Sequence, residues 1–362
     1  MLKTEVAVVG GGPAGLMAAL AAAEQGARVM LFEAMDHLGG QLVKQTHRFF
    51  GSEKEHAGTR GIDIAAMLSQ RVTANPNIET FLEASALGFY RDDQILSIEF
   101  GEGILTCQAG AVVFATGASE KFLSFENNDL PGIYGAGAVQ TLMNVHGILP
   151  GEKAVMVGAG NIGLIVSYQL MQAGVRVQAI VEGAERIGGY LVHASKVRRA
   201  GVPILTRHSI LRAHGTEALE AVTVVELDSS WQPIPGTERT IEADILCLAV
   251  GLSPLVEMLW QAGCRMTYVP ELGGHVPERN QWMETSVPGL YVAGDASSVE
   301  EASSAMVEGR LAGLSAAARF GYTHGVGERR QEALADLASL RSGPVGEKIR
   351  SGLARLAKGG KA

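Results

Sequence analysis

One local pattern occurs twice in this chain, and it restricts the fold more than any other feature. An apolar run at residues 5–9 leads into Gly10-Gly-Gly12-Pro-Ala-Gly15, an Ala- and Leu-rich segment and a second apolar run at 29–32. The same order returns about 148 residues later, around Gly158-Ala-Gly160-Asn-Ile-Gly163. Each copy predicts a buried strand, a glycine turn, a helix and a second strand within about 30 residues.

The glycine spacing within each copy is typical of a turn that binds a pyrophosphate. The first glycine permits the tight turn, the second lets the backbone approach the phosphates, and the third lets the helix pack on the strand. The helix N-terminus supplies N–H groups and a positive dipole end. The sequence therefore predicts an α/β fold with two Rossmann-like dinucleotide-binding domains. The candidate contacts are Gly10, Gly12, Pro13, Ala14 and Gly15 in the first copy, and Gly158, Gly160, Asn161, Ile162 and Gly163 in the second.

Each copy also has an acidic residue after its second strand. Glu33 follows Gly15 by 18 residues, where a carboxylate can accept hydrogen bonds from ribose hydroxyls. In the second copy Glu182 comes one position later, counted from the glycines that end the helices, Gly26 and Gly174. We expect a displaced ribose contact there, and the sequence leaves open whether the second site is occupied or empty. No pair of arginines directly follows Glu182 to bind a 2′-phosphate, which favours NAD over NADP.

Two later segments complete the first nucleotide site. A strand ends in Ala115-Thr116-Gly117, and residues 243–251 close the second copy in the same way. Near the end, an apolar strand delivers Asp295 after Gly294, before a predicted helix over 300–318. An aspartate there can bind ribityl hydroxyls of a flavin, and the helix start at Ala302 can face the pyrimidine end of the flavin ring. The alternative role for Asp295 is an ordinary helix N-cap.

These motifs together resemble the flavoprotein family that includes thioredoxin reductase and the pyridine nucleotide–disulfide oxidoreductases, over about residues 4–320. Gly39-Gly40-Gln41-Leu42 is the form in which thioredoxin reductases pass the isoalloxazine ring. The resemblance implies that Gly40, Gln41 and Leu42 contact the flavin. It also implies FAD on residues 1–125 and 275–325, and NAD(P)H on a domain at 145–255 that is inserted into the first.

The cysteines depart from that family. Cys107, Cys247 and Cys264 are scattered and form no C-x-x-C, so we expect neither disulfide reduction nor a metal site. Scattered unpaired thiols favour a reducing, cytoplasmic location.

A second resemblance covers the C-terminal half. Residues 201–206, 250–254 and 272–277 are similar to alpha subunits of amine-oxidising flavoprotein complexes. These complexes include hydrogen cyanide synthase, octopine oxidase, proline or hydroxyproline dehydrogenase and heterotetrameric sarcosine oxidase. In that group the alpha subunit relays electrons, and a separate beta subunit oxidises the amine.

The two resemblances imply an FAD-dependent oxidoreductase, the electron-transfer subunit of an amine or amino-acid dehydrogenase. The partner would be a beta-type oxidase or dehydrogenase subunit or a small iron–sulfur protein, and homo-oligomerisation is left open. The alternatives are a free-standing NAD(P)H-dependent flavoprotein reductase that serves ferredoxin or a small acceptor, and a nucleotide-bound scaffold without turnover. No catalytic side chain is assigned, because the cofactors carry such chemistry.

Charge and hydropathy exclude two classes of partner. The net charge is −8, opposite in sign to that of a protein that binds nucleic acid broadly. No apolar run reaches 18 residues, so we expect no membrane span.

Two further segments carry predictions of their own. Residues 326–362 hold eight Lys or Arg against four Asp or Glu and predict a basic helical C-terminal tail. Leu334, Leu337 and Leu340 in it predict a face that docks a partner, and the alternative is a tail packed on its own domain. The polar residues Lys44, Gln45, His47 and Arg60 predict one pocket beside the flavin, and the alternative is a solvated loop.

Overall fold

The structure is a computed structural model that describes residues 1–49, 52–344 and 346–359. Its strands, in chain order, are β1 (Leu2–Val9), β2 (Val29–Phe32), β3 (Ile78–Phe81), β4 (Ala84–Tyr90), β5 (Ile95–Phe100), β6 (Gly103–Phe114), β7 (Ala118–Glu120), β8 (Ile133–Gly135), β9 (Lys153–Val157), β10 (Arg176–Glu182), β11 (Ile204–Thr206), β12 (His208–His214), β13 (Ala221–Glu226), β14 (Arg239–Glu242), β15 (Ile245–Leu248), β16 (Leu252–Pro254), β17 (Met266–Val269), β18 (Gly274–Pro277) and β19 (Leu290–Val292). Its α-helices are α1 (Pro13–Glu24), α2 (Gly61–Thr73), α3 (Ala136–Asn144), α4 (Asn161–Gln172), α5 (Leu191–Arg199), α6 (Glu257–Gln261), α7 (Ala302–Ala318), α8 (Val326–Leu340) and α9 (Glu347–Gly359).

The chain forms two compact units, and one is inserted into the other. Unit 1 comprises Met1–Ser119 and Leu252–Ala362, and unit 2 comprises Glu120–Gly251. Residues 126–144, which the motifs assign to neither nucleotide-binding domain, supply β8 and α3 to unit 2. The basic C-terminal helices belong to unit 1.

The sheet of unit 1 has a parallel core in the order β3-β2-β1-β6, with β19 beside the end of β6. The first half of β6 instead pairs antiparallel with β5, which pairs with β4. Along β1, Val6 and Val8 pack into one apolar cluster, and Ala7 and Val9 into another on the opposite face. Because both faces of this strand are covered, it is a continuous apolar run in the sequence.

Unit 2 repeats this architecture with different residues. Its parallel sheet has the order β11-β10-β9-β15-β8, which corresponds strand by strand to β3-β2-β1-β6-β19. A separate antiparallel sheet, β12-β13-β14, takes the place of the meander at β4 and β5. The predicted α/β class, with two Rossmann-like domains and the second inserted into the first, is confirmed.

Helices α1 and α7 of unit 1 cross in direct backbone contact. A Cβ atom added at Gly309 would lie 2.0 Å from the carbonyl oxygen of Ala14, and one at Gly313 would lie 2.2 Å from that of Ala18. Glycines four residues apart lie on one face of a helix, so this face of α7 has no side chain to hold α1 away. The contact places the middle of α7 against the first half of α1.

The C-terminal helices cover unit 1 with their apolar faces. Leu337 of α8 is buried in the same cluster as α1 and α7, and Leu334 and Leu340 pack against it. Leu356 of α9 is buried against β17 and β18. The prediction of a partner-docking face at Leu334, Leu337 and Leu340 is therefore wrong, since the chain itself covers these side chains. Residues 360–362 of the predicted tail lie outside the described residues.

Within the described ranges, no helix combines the length and the hydropathy that crossing a membrane requires.

Candidate cofactor-binding sites

The first glycine turn leaves no room for side chains at two of its three key positions. Gly10 has φ +102°, and a Cβ there would lie 2.4 Å from the carbonyl oxygen of Ala115. A Cβ at Gly15 would lie 1.8 Å from the carbonyl oxygen of Gly10. At Gly12 the nearest atom would be the Cα of Gly40, 3.8 Å away, so this backbone is open to a ligand.

The second glycine turn has nearly the same geometry. Gly158 has φ +100°, and a Cβ there would lie 2.3 Å from the carbonyl oxygen of Ala249. A Cβ at Gly163 would lie 1.9 Å from the carbonyl oxygen of Gly158. No described atom lies within 4 Å of a Cβ placed on Gly160. Both turns therefore combine a closed inner side with an outer side over which a phosphate can approach.

The helix that follows each turn fits a pyrophosphate. The N-cap residues are Gly12 for α1 and Gly160 for α4, and glycine has no side chain to accept from the first helical N–H groups. Pro13 occupies the first position of α1, and Ala14 and Gly15 follow it. Asn161 and Ile162 occupy the same positions in α4, and Asn161 Oδ1 accepts a hydrogen bond from Tyr190 N at 2.8 Å. Backbone N–H groups at the positive dipole end of a helix bind the phosphates of a dinucleotide.

Glu33 holds the first turn in place. Its carboxylate is buried, and Oε2 accepts from Gly11 N at 2.6 Å while Oε1 accepts from Met35 N at 2.9 Å. A carboxylate offers about four acceptor positions, so two backbone bonds leave capacity for a ribose hydroxyl. The structure thus gives Glu33 a role in shaping the turn that the sequence did not indicate.

Glu182 makes the same bonds in the second turn. Its Oε2 accepts from Ala159 N at 2.7 Å, and its Oε1 accepts from Ala184 N at 2.9 Å. The register of β10 against β9 shifts between Val177 and Ala179. This bulge absorbs the extra residue, so Glu182 follows the last pair of strand residues directly, as Glu33 does. The expected displacement of the second acidic residue is therefore wrong.

The segments that follow the acidic residues also correspond. Gly39 N donates to Gly11 O at 2.9 Å, and Gly189 N donates to Ala159 O at 2.9 Å. Each contact closes the chain over its glycine turn.

The candidate flavin contacts after Gly39 lie in a short 3₁₀-helix over Gly40–Lys44. Gly40 has φ +51°, and a Cβ there would lie 2.7 Å from the Cα of Gly12. Gln41 is exposed and Leu42 is buried. The approach of Gly40 to Gly12 places this helix beside the open side of the first turn.

The strand end at 115–117 closes the first site from another side. Ala115 N donates to Val9 O at 2.8 Å. Thr116 Oγ1 donates to Leu255 O at 2.6 Å, and Leu255 N donates to Gly117 O at 3.0 Å. These bonds connect β6 to the segment that returns from unit 2.

The turn that carries Asp295 lies against the start of α1. Gly294 has φ +70°, and a Cβ there would lie 2.8 Å from the Cβ of Ala14. Asp295 Oδ1 accepts a 3.3 Å bond from Glu300 N. The N-cap of α7 is Glu301, and Ala302 is the first helical residue, so the alternative N-cap role for Asp295 is wrong.

Burial raises the pKa of Asp295 to about 7. The bond from the Glu300 backbone opposes this shift, and the nearby carboxylates of Glu308, Glu300 and Glu301 add to it. Asp295 therefore changes its charge near neutral pH.

Sequence reasoning missed a buried network of charges behind this turn. Glu308 and Arg279 form an ion pair at 3.1 Å, and Arg341 binds both Glu308 and Glu300. Glu308 is 2% exposed and lies in a helix made mostly of small apolar residues. A charged residue in that setting was the one signal the sequence offered, because Arg279 and Arg341 are far from it along the chain.

The predicted pocket beside the flavin stays a prediction. Lys44, Gln45 and His47 are half-buried, whereas Arg60 is exposed at the N-cap of α2. Positions 50 and 51 of this segment lie outside the described residues.

All three thiols are buried. Burial raises the pKa of Cys107 to about 11 and that of Cys247 to about 12, and it also raises the pKa of Cys264. A thiol must lose its proton to act as a nucleophile, so these cysteines are unreactive at neutral pH.

The fold and the two glycine turns define a flavoprotein oxidoreductase with two dinucleotide-binding domains. Residues 4–309 match the family described as Pyridine nucleotide-disulphide oxidoreductase, and the chain belongs to that family. Its cofactors are FAD and a nicotinamide nucleotide.

Curated relatives come from amine-oxidising complexes. Hydrogen cyanide synthase subunit HcnB of Pseudomonas protegens is 26% identical over 92% of this chain and 75% of its own length. Sarcosine oxidase subunit alpha of Corynebacterium is 29% identical over 89% of this chain, which spans 33% of that subunit. The chain is therefore an FAD-dependent oxidoreductase related to subunits of such complexes.

Solved structures agree on the fold. L-proline dehydrogenase from P. horikoshii has a TM-score of 0.70 at 25% identity, covering 92% of this chain and 59% of that one. Thioredoxin reductase from T. acidophilum has a TM-score of 0.73 at 20% identity, covering 88% and 99% respectively.

Proposed function

We propose that this chain is the electron-transfer, alpha-type flavoprotein subunit of an amine or amino-acid dehydrogenase complex. One observation carries the proposal. Two complete nucleotide turns occur without a reactive dithiol, in a chain similar over about nine tenths of its length to subunits of amine-oxidising complexes. Electrons from FAD must then leave to another protein or a nucleotide, since this chain has no C-x-x-C to receive them.

In this proposal the first site holds FAD. The turn from Gly10 to Gly15 and the start of α1 bind the pyrophosphate, Glu33 accepts from the adenosine ribose, and Asp295 faces the ribityl chain. Gly40, Gln41 and Leu42, with Ala115, Thr116 and Gly117, line the approach to the flavin. FAD, when bound, supplies the two-electron redox chemistry, and these residues bind and orient it.

The second site holds a nicotinamide nucleotide, and its acidic residue selects NAD. Glu182 reaches the same position relative to its turn as Glu33 does. A carboxylate there accepts from ribose hydroxyls and repels a 2′-phosphate. We expect NADH to bind at least about tenfold more tightly than NADPH, and Glu182→Ala to reduce that ratio. Equilibrium titration with both nucleotides measures it.

The completeness of the second site favours one alternative, a free-standing NAD(P)H-dependent flavoprotein reductase. The two functions differ in what reduces the flavin. A relay subunit receives electrons from its partner, whereas a reductase takes them from the nicotinamide nucleotide.

Anaerobic mixing separates them. The FAD-loaded chain is mixed with NADH while flavin absorbance is followed at about 450 nm. Rapid bleaching supports the reductase. Bound NADH without bleaching supports the relay, and in that case bleaching must appear when the partner subunit and an amine are added. Direct bleaching by an amine without any partner would contradict both functions.

Glu182→Ala is the matched control for this experiment. It removes the acidic residue of the second site and leaves Glu33 in place, so any bleaching by NADH should be lost while bound FAD is retained.

The relatives are subunits of multi-subunit complexes, which supports a partner subunit for this chain. The chain spans three quarters of HcnB and one third of the sarcosine oxidase subunit. In this proposal the partner is a beta-type oxidase or dehydrogenase subunit, or a small iron–sulfur protein, and we place the complex in the cytoplasm.

A further inference from the structure

The turn from Gly294 to Glu300 is held by a buried carboxylate at its first residue. Glu308 Oε2 accepts from Gly294 N at 3.1 Å, and Oε1 accepts from Arg279 at 3.1 Å and from Arg341 at 2.6 Å. Arg279 Nε also donates to Ser297 Oγ at 2.5 Å within the turn. Charged side chains thus hold the start of the turn, at Gly294, and its middle, at Ser297.

The end of the same turn is held by Arg341. Its Nε and Nη2 donate to the two carboxylate oxygens of Glu300 at 2.8 and 2.6 Å. Glu300 N donates to Asp295 Oδ1, and Ser298 Oγ donates to Glu300 Oε1 at 2.6 Å. One residue at the C-cap of α8 therefore contacts both Glu300 and the carboxylate that binds Gly294.

The positive and negative charges of the four side chains Arg279, Arg341, Glu300 and Glu308 are equal in number only while Arg341 is present. The side chains of Arg279 and Glu308 are 9% and 2% exposed, and those of Arg341 and Glu300 are 11% and 6% exposed. Two guanidinium groups face two carboxylates, so removal of Arg341 leaves a buried negative charge without its partner. That charge lies next to Asp295, which the network already surrounds with carboxylates.

Arg341 is the C-cap residue of α8, and other residues of this helix anchor it to unit 1. Leu337 of α8 is buried in the main apolar cluster. Lys54 pairs with Glu332 and Asp336 on the same helix. These contacts hold α8 in place, and α8 in turn positions the guanidinium of Arg341 at the turn.

We propose that Arg341 is a positioning residue for the flavin, and that α8 acts as a strap that holds the Gly294–Glu300 turn in its FAD-binding conformation. This inference rests on the proposed FAD site at Asp295. In this role the C-terminal segment helps to retain FAD through the turn, without contacting the nucleotide itself.

The test measures FAD release. Purified FAD-loaded protein is diluted into flavin-free buffer, and the rise in flavin fluorescence gives the release rate. We expect Arg341→Gln to release FAD about tenfold faster or more, since charge-assisted hydrogen bonds to the turn are lost. Arg341→Lys restores the positive charge without the planar fork, so it should recover part of the loss.

Arg355→Gln is the matched control. Arg355 also attaches the C-terminal segment to unit 1, through an exposed pair with Glu271 at 2.9 Å, but it does not touch the turn. We expect its release rate to equal that of the wild-type protein. Denaturant unfolding of each apoprotein, measured alongside, separates positioning from general stability.

A second variant keeps the proposal testable if Arg341→Gln does not fold. Arg341→Met combined with Glu300→Gln removes the pair without leaving a buried charge. It should fold and still release FAD faster, with altered fine structure in the flavin absorption band.

The outcomes distinguish failure of the proposed function from failure of the proposed strap. If the wild-type protein binds no FAD, the proposed function and this inference both fail. If it binds FAD and the Arg341 variants release it at the wild-type rate, the strap alone is wrong. The strap is also wrong if two results occur together. Release is faster in Arg341→Gln and is not slowed in Arg341→Lys, and the release rate follows apoprotein stability across all variants, including Arg355→Gln.

Discussion

Glu33 and Glu182 each do two things with one carboxylate. Both accept from a backbone N–H of their glycine turn and from the N–H two residues further along the chain. The carboxylate to which we assign ribose binding therefore also fixes the conformation of its glycine turn. Loss of either carboxylate affects the turn as well as the nucleotide.

The first prediction concerns Glu33→Ala. A hydrogen bond to a charged acceptor contributes about 1.5–3 kcal/mol, so FAD affinity should fall about ten- to a hundredfold. The sheet beside Glu33 is apolar and keeps the fold, but the unpaired N–H of Gly11 should lower the free energy of unfolding by about 1–3 kcal/mol. Bound FAD per purified chain and denaturant unfolding measure the two effects.

Glu182→Ala is the control for this prediction, because it removes the equivalent bonds from unit 2 only. It should retain full FAD and lose nicotinamide affinity. The opposite result, with FAD kept by Glu33→Ala and lost by Glu182→Ala, would show that the two sites are assigned the wrong way round.

The second prediction concerns the pH dependence that Asp295 imposes on the apoprotein. Burial raises its pKa from 3.8 to about 7, so the folded state holds the proton more tightly than the unfolded chain. The resulting stabilisation is present below pH 3.8 and is lost as the pH rises through about 7. Asp295→Asn cannot ionise and should be more stable than wild type at pH 8, by roughly 2 kcal/mol.

Urea unfolding at pH 5 and pH 8 checks this prediction. The advantage of Asp295→Asn should be smaller at pH 5, where the wild-type side chain is mostly protonated in the folded state. An equal difference at both values would show that Asp295 does not titrate in this range.

At the scale of elements, the contact between α1 and α7 determines where the cofactor turns lie. Helix α1 begins at the first glycine turn, and Gly309 and Gly313 in the middle of α7 let the two backbones touch. A wider separation would move Gly294 away from Ala14. Small residues on α7 therefore matter for the site as well as for the core.

The third prediction is that Gly313→Ala destabilises the protein. Its Cβ would lie 2.2 Å from Ala18 O, so the two helices must separate. Forcing an extra methyl group into a close-packed contact costs about 1–3 kcal/mol, more than alanine gains over glycine in a helix. The thermal unfolding midpoint should fall, and FAD retention should fall with it.

Gly327→Ala provides the comparison. Gly327 is an exposed residue of α8, and no described atom lies within 4 Å of its added Cβ. It should leave stability unchanged or raise it by up to about 1 kcal/mol. If both variants unfold at the wild-type midpoint, α1 and α7 are not as closely packed as described.

In the whole molecule, unit 2 has two features of an independent domain, namely an apolar core of its own and chain ends that lie side by side. The two apolar clusters of unit 2 consist of residues between 120 and 251. Lys121 N donates to Gly251 O at 2.9 Å, so the chain enters and leaves this unit at adjacent positions. An inserted domain with neighbouring ends can be separated from its host without breaking its sheet.

The fourth prediction is that the fragment 120–251 folds alone and binds NADH. It should unfold in one cooperative transition, and NADH should raise the midpoint because it binds only the folded state. Circular dichroism with and without the nucleotide measures this. The same fragment carrying Glu182→Ala should fold but show a smaller shift, whereas a fragment without a cooperative transition would contradict domain independence.

The two strand–turn–helix–strand segments and the glycine positions of both turns were predictable from local sequence patterns. These features depend on neighbours along the chain: positive φ at Gly10 and Gly158 requires glycine, and a strand buried on both faces must be a continuous apolar run. The family resemblance followed from the same local motifs.

The contacts of Glu182, Leu337 and the buried charges depend on how distant parts of the chain pack together. A bulge in β10 brought Glu182 into the position of Glu33, and the chain's own core covered Leu337. Packing also brought Arg279 and Arg341, 62 positions apart, to the carboxylate of Glu308. No period or spacing in the sequence records such contacts, because the partner of a buried charge or an apolar face is set by which elements meet in three dimensions.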